Sequence, residues 1–416
     1  MQIYAASYLY PVSGPPIAGG AIAVADGRIA DIGSLSDLRS RHGLPVRDYP
    51  GCVIMPGLVN AHSHLELTHF PAWKLRKGID YSPRTYVDWV VQVIKIRRAL
   101  SRSELAHSVR EGICKSLECG TTSVGDIVTD QSLIPCYQES PLAGRLFCEA
   151  LGHDPARCEA QLHKLDANIA SFHSGRLLPG ISPHAPHTVA GKFMTELTEL
   201  ARRRGVPTAV HLAESREETV FSHDSTGTIA TEIYPLAGWQ DYLPPPQRTT
   251  PTLWLEKQGA LHGGAMVIHC VHVTPAEVDI LRARGVTAVL CPRSNERLAV
   301  GHAPAPLLKN AGIPLALGTD SLASNDSLSL WDEMRALRRR FPGTFSPREV
   351  LEMATLGGAR ALRMDGEIGS LSRGKFADFL VVKIPFQVRE DDLSEGLVDQ
   401  GHLEEVFIGG VKPVYP

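Results

Sequence analysis

Apolar and polar residues alternate at the start of the chain. Ala21–Ala25 and Arg28–Ile32 flank Asp26 and Gly27, a dipeptide suited to a two-residue turn, and predict an antiparallel pair of strands. The same short-strand texture returns at Asp378–Ile384 and Glu405–Val411. Between these ends the pattern changes. Short β-rich runs at Leu58–Ala61, Thr121–Val124, Leu146–Ala150, Leu177–Ser182, Thr208–Leu212, Met266–His269, Thr287–Leu290 and Leu315–Gly318 are separated by stretches with helical spacing. One such stretch predicts a helix over Ser103–Glu118, with Ser103 as its N-cap, Leu105, Val109, Ile113 and Leu117 four residues apart, and Gly120 beyond its end. Eight strand-then-helix repeats predict an α/β fold, a (β/α)₈ barrel over 57–365. The two strand-rich ends, 1–56 and 366–416, predict one small β-sandwich domain built from both termini.

Composition narrows the function classes. A formal net charge of -3 over 416 residues, with no run of Lys or Arg that resembles a nucleic-acid footprint, makes nucleic acid an unexpected partner. No stretch of eighteen apolar residues and no basic leader with an apolar core is found, so a soluble cytoplasmic protein without a membrane partner is expected. The eight cysteines are scattered with no Cys-x-x-Cys pair, and read as reduced, buried small hydrophobes.

The chemistry lies where the predicted strands end, the face on which barrels of this kind gather functional residues. The first run continues into His62-Ser63-His64, and residues two apart on a strand face the same side. The fifth ends in His211 with Glu214 three residues on, the sixth in His269 with His272 beyond, and the eighth in Asp320. A lone strand-end histidine can cap a loop, and an aspartate before serine can open a turn. Several imidazoles and one carboxylate at one face instead form a donor set for a divalent ion such as zinc or iron(II). His62, His64, His211 and Asp320 are the expected ligands.

The strings PGLVNAHSHLE, GTTSVGD, ISPHAPHTV, VHLAES, HCVHV, CPRSN, GTDSLASN and IGSLSRGKFADFLVV, in that order, resemble the metal-dependent amidohydrolase superfamily over nearly the whole chain, and more closely its aminohydrolase branch. Within it the chain looks most like aminofutalosine deaminase-like enzymes, which serve an alternative menaquinone route. S-adenosylhomocysteine and methylthioadenosine deaminases are close neighbours. The resemblance implies one metal ion held by His62, His64, His211 and Asp320, Glu214 as proton carrier and His269 assisting. A binuclear branch carries a lysine on strand four, which is lacking at 177–186. A metal ion supplies hydroxide near neutral pH, and Glu214, His269 and Asp320 would orient the attacking water and move protons until ammonia leaves.

Expected substrate contacts are His184 and His187, Glu66, Arg293 and Asn295 beside Ser294, and His272, with His69 as a further polar residue near the metal pair. His187 stands where many relatives carry tyrosine. Residues 80–95, with Trp89 near the centre, can cover the pocket or form a surface helix, and the Pro-rich 241–251 segment forms a loop over the mouth or an edge contact. The leading expectation is deamination of an aminopurine nucleoside derivative, 6-aminodeoxyfutalosine first, by a chain that acts on a small molecule and can form homo-oligomers. Displacement from a triazine and amide or carbamoyl hydrolysis are the competing reactions. A scaffold without metal is disfavoured, because all six polar positions are retained.

Overall fold

The structure is a computed structural model and describes residues 1–79, 82–172, 175–385, 389 and 392–414. Eight parallel strands pair in chain order: Leu58–Ser63, Thr121–Val128, Ala143–Ala150, Leu177–Pro183, Thr208–Leu212, Ala265–His269, Thr287–Leu290 and Leu315–Leu317. Each expected apolar run is a strand. Thr121–Val128 is buried along its whole length, as parallel strands covered on both faces are. One core cluster draws Val59, Ile127, Phe147, Ala209, Met266, Val289 and Ala316 from seven of these strands.

The barrel closes between its last and first strands. The His62 carbonyl accepts from the N–H groups of Thr319 and Asp320, each at 3.1 Å. Asn60 reinforces this seam: its Nδ2 donates to Thr319 Oγ1 at 2.7 Å and its Oδ1 accepts from Thr319 N at 3.2 Å. Gly318 is required there, because a Cβ would come within 2.7 Å of the His62 Cβ.

Both ends of the chain build a second sheet, ordered His402–Phe407, Phe379–Lys383, Val46–Pro56, Gln2–Leu9, Gly20–Ala25, Arg28–Ser34, with Ile17–Ala18 beside Gln2–Leu9. Strand alternation buries both faces of this sheet. Ile3 and Ala5 pack with Leu38, whereas Tyr4 joins Phe379 and Phe407 at 5.0 and 5.1 Å between ring centres. Asp26 and Gly27 form the expected turn, with φ of 50° and 75°.

The helix expected from Ser103 begins one residue earlier, at Arg102. Its N-cap is Ser101, whose Oγ accepts from Glu104 N while Glu104 Oε2 accepts from Ser101 N, a reciprocal arrangement that Ser103 does not make. Thr85 caps another helix, Tyr86–Arg97, which lies over the ends of the barrel strands and lines the cavity there. Residues 80 and 81 of the expected covering segment lie outside the described residues. The 241–251 segment reaches the same cavity through Asp241 and Tyr242, whose hydroxyl donates to Asp154 Oδ2 at 2.8 Å. No helix among the described residues is long and apolar enough to cross a membrane, and all eight cysteines are unpaired.

Candidate active site

Because the barrel strands are parallel, their last residues meet on one face. His62 and His64 Nε2 each lie 3.7 Å from Asp320 Oδ1. The His211 ring centre is 5.1 Å from that of His62 and 5.6 Å from those of His64 and His269. Candidate ligand atoms of His62, His64 and Asp320 lie within 4.8 Å of one another, as do those of His62, His211 and His269 and those of Glu214, His269 and Asp320.

Local backbone geometry delivers these side chains. Ala213, His269, Cys270 and Asp320 have φ between 48° and 70°, a left-handed region unfavourable to residues with a Cβ. Four such residues at the ends of the fifth, sixth and eighth barrel strands place the strain where the side chains converge.

The surrounding hydrogen bonds leave the facing atoms available. His211 Nδ1 is 2.8 Å from the His184 carbonyl, which makes it the protonated nitrogen and leaves Nε2 as a donor of electrons. Asp320 Oδ2 accepts from Ser294 Oγ at 2.7 Å and Ser324 Oγ at 2.6 Å, while Oδ1 faces the two histidines. Both ring nitrogens of His62 are buried without a hydrogen-bond partner among the described residues. Burial, reinforced by neighbouring imidazoles, depresses the pKa of His64 to about 3, and His211 is likewise held low. A neutral imidazole is the form that binds metal, so the donor set fits a divalent cation.

Glu214 and His269 border this cluster. Glu214 Oε2 is 3.6 Å from His269 Nε2, and Glu214 Oε1 has no hydrogen-bond partner among the described residues. Burial, then the Asp320 charge, pushes the Glu214 pKa well above the usual carboxylate range, against which the Tyr86 hydroxyl works. The backbone that carries Glu214 is fixed by Glu218, whose Oε1 accepts from the N–H groups of Glu214 and Ser215 at 3.1 and 3.2 Å.

A cavity of about 700 Å³ opens over the cluster. Glu66, His184 and His187 line it, together with Tyr86, Trp89, Arg98 and Arg157. Burial, then nearby His184, depresses the pKa of His187 to about 3. Three expected substrate contacts lie elsewhere. Asn295 sits behind His269, its Oδ1 2.9 Å from Nδ1. Arg293 turns away toward Asp326, Asn325 and Glu333. His272 Nε2 binds the Val300 carbonyl at 2.9 Å and does not line the cavity. His69 packs against Trp73 and His107.

Several supporting residues were missed from sequence: Tyr86, Ser324, Asn60, Glu218 and the buried Asp126, which accepts from Ser63 Oγ at 2.6 Å, Leu65 N at 3.0 Å and Tyr137 OH at 2.5 Å. Only Glu218 had a readable signal, the Ser215-x-x-Glu218 capping spacing.

This arrangement on a closed parallel barrel has a family. The chain belongs to the amidohydrolase family, whose family model matches residues 53–412. Residues 20–43 also match the bacterial imidazolonepropionase-like composite domain. Over 404 residues the chain is 31% identical to a 5-methylthioadenosine/S-adenosylhomocysteine deaminase of Moorella thermoacetica, covering 94% of this chain and 88% of that protein. It is 28% identical over 377 residues to an aminodeoxyfutalosine deaminase of Deinococcus radiodurans, covering 88% and 86%. The crystal structure of Helicobacter pylori aminofutalosine deaminase in complex with methylthio-coformycin shares the fold with a TM-score of 0.87 over 100% of both chains, at 21% identity.

Proposed function

We propose that this protein is a metal-dependent deaminase of a 6-aminopurine nucleoside with a modified 5′ position. 6-Aminodeoxyfutalosine is the first candidate, followed by S-adenosylhomocysteine and 5-methylthioadenosine. The observation that carries the reading is the convergence of His62, His64, His211 and Asp320, with Glu214 and His269 beside them, at the floor of a cavity roomy enough for more than a single ring. The named relatives support the choice of nucleoside.

His62, His64, His211 and Asp320 would hold one divalent ion, zinc or iron(II). When bound, that ion supplies a hydroxide nucleophile near neutral pH. Glu214 takes a proton from the attacking water and delivers it to the ring nitrogen beside the amino-bearing carbon. His269, held through Nδ1 by Asn295, keeps Nε2 toward the reacting carbon and assists proton transfer to the departing ammonia. Water is consumed, the C–N bond breaks, and a ring carbonyl and ammonia result. Arg98 and Arg157 are cavity cations available to a negatively charged tail.

The test is ammonia release by metal-loaded enzyme from aminodeoxyfutalosine, S-adenosylhomocysteine, 5-methylthioadenosine, adenosine, guanine and a chlorinated triazine. The expected result is kcat/KM of about 10⁴ M⁻¹s⁻¹ or more on a 5′-modified nucleoside. Turnover confined to guanine or the triazine overturns the nucleoside reading.

A further inference from the structure

Arg145 points into the barrel at the end opposite the His/Asp cluster. It is the third residue of the strand Ala143–Ala150, and Ala143 and Phe147, two residues to either side, belong to the interior cluster. The residue is only 8% exposed. Its Nε donates to the carbonyl of Leu362, which ends the helix Gly358–Ala361, and its Nη1 donates to the Pro179 carbonyl of the next strand at 2.8 Å. A guanidinium carries five N–H donors and no acceptor. Its other N–H groups, both of those on Nη2 among them, have no acceptor among the described residues.

The charge is also left without a counter-charge. No carboxylate among the described residues forms an ion pair with Arg145, and the charged group that acts on it is a second cation, Arg363. Arg363 follows Leu362 directly, and its side chain makes no hydrogen bond or ion pair among the described residues. Its φ of 53° is that of a position just past a helix end, where glycine is favoured, so the side chain is kept there at a conformational cost. The start of the sixth strand faces it: a Cβ on Gly264 would stand 3.3 Å from the His262 ring and 3.5 Å from Arg363 Nη1. Arg202 acts on the same His262 ring. Asp365, two residues after Arg363, acts on Lys375 and is not among the groups acting on Arg145. Folded proteins seldom bury an arginine without pairing its charge, and the two backbone carbonyls supply dipoles only.

We propose that Arg145 and Arg363 form a binding site for a phosphate group at the N-terminal face of the barrel, apart from the substrate cavity, which neither residue lines. Two guanidinium groups on different elements offer N–H donors from two directions. That suits a tetrahedral, multiply charged oxyanion better than a planar, singly charged carboxylate. The bound group would tie the third strand to the segment that follows the last barrel helix.

Thermal midpoints of the metal-loaded full chain, measured over a phosphate series and an acetate series at constant ionic strength, test the site. In wild type the midpoint should stay level at low phosphate and climb logarithmically above a dissociation constant on the order of 1 mM, the strength of a pair of charge-assisted contacts. Acetate should give no such climb. Arg363→Ala, a change at an exposed side chain, should need about tenfold more phosphate for the same climb. Lys95→Ala, which removes the same charge from an exposed position on the helix over the opposite face, should behave as wild type. Arg145→Met should abolish the climb. Phosphate bound in the substrate cavity would affect wild type and Arg363→Ala alike and so cancels in the comparison. Identical phosphate dependence in those two proteins, an equal loss in Lys95→Ala, or an acetate series that matches the phosphate series overturns the site. Ammonia release and metal content, expected to be unchanged in Arg363→Ala, serve as folding controls.

Discussion

Replacing Asp126 with asparagine should make the protein more stable at neutral pH and above, by a margin that shrinks steadily as the pH falls toward 4. The carboxyl of Asp126 is fully buried beneath the turn that carries His62 and His64. Burial lifts its pKa from 3.8 to about 7, against the opposing hydrogen bonds from Ser63, Tyr137 and Leu65 N. Between those two values the folded protein keeps a proton that the unfolded chain has released, so stability falls as pH rises from 4 to 7 and is level above that. At about 1.4 kcal/mol per pH unit, the loss is at most on the order of 4 kcal/mol. Asparagine preserves the contacts without the ionisation: its Oδ1 can accept from Ser63 and Leu65 N, and its Nδ2 can donate to the Tyr137 hydroxyl. Urea unfolding of both metal-loaded proteins at pH 5, 6, 7 and 8 measures the effect, because the titration of all other groups cancels in the difference. A gap between the two curves that widens from pH 5 to 7 and is level from 7 to 8, the variant gaining with pH, is expected. Parallel curves across the whole range would refute the assignment of a titrating Asp126.

Glu214→Gln should retain the metal and lose about 10²–10⁴-fold in kcat, the usual cost of a lost proton carrier; loss of the metal instead would reassign Glu214 as a ligand. Elemental analysis should find about one divalent ion per chain, and a requirement for two would overturn the mononuclear assignment. Chelation should abolish activity and lower the unfolding free energy by about 4 kcal/mol relative to protein kept at a thousand times the metal Kd. Ser324→Ala should weaken metal binding by about 10- to 100-fold, because one hydroxyl orienting Asp320 is removed; an unchanged affinity in competition with a chelating dye would count against that.

The parts of the site carried on strand ends were legible in the sequence. A parallel strand buried on both faces reads as an apolar run, and the polar residue that interrupts it at His62, His211, His269 or Asp320 marks the face of the barrel. The residues after those ends were harder, since their direction depends on how the next element begins. Arg293 and Asn295 both follow the seventh strand, yet the short helix Pro292–Arg297 points one outward to Asp326 and the other inward to His269. Ser294 and Ser324 are common residues whose partner, Asp320, is named only by tertiary packing. Tyr86 reaches Glu214 from a helix inserted after the first strand, where no local pattern specifies a target.

The sheet assembled from both ends of the chain also dictates an order of events during synthesis. Val46–Pro56 pairs with Gln2–Leu9 on one side, but its other edge waits for Phe379–Lys383, with Pro56 opposite Phe379. At typical elongation rates the ribosome takes on the order of tens of seconds to make the intervening chain. Throughout that interval an apolar strand edge stays unpaired, the kind of edge that recruits other chains. The whole barrel must therefore emerge before this sheet can seal, and the nascent protein spends that time dependent on whatever shields the waiting edge.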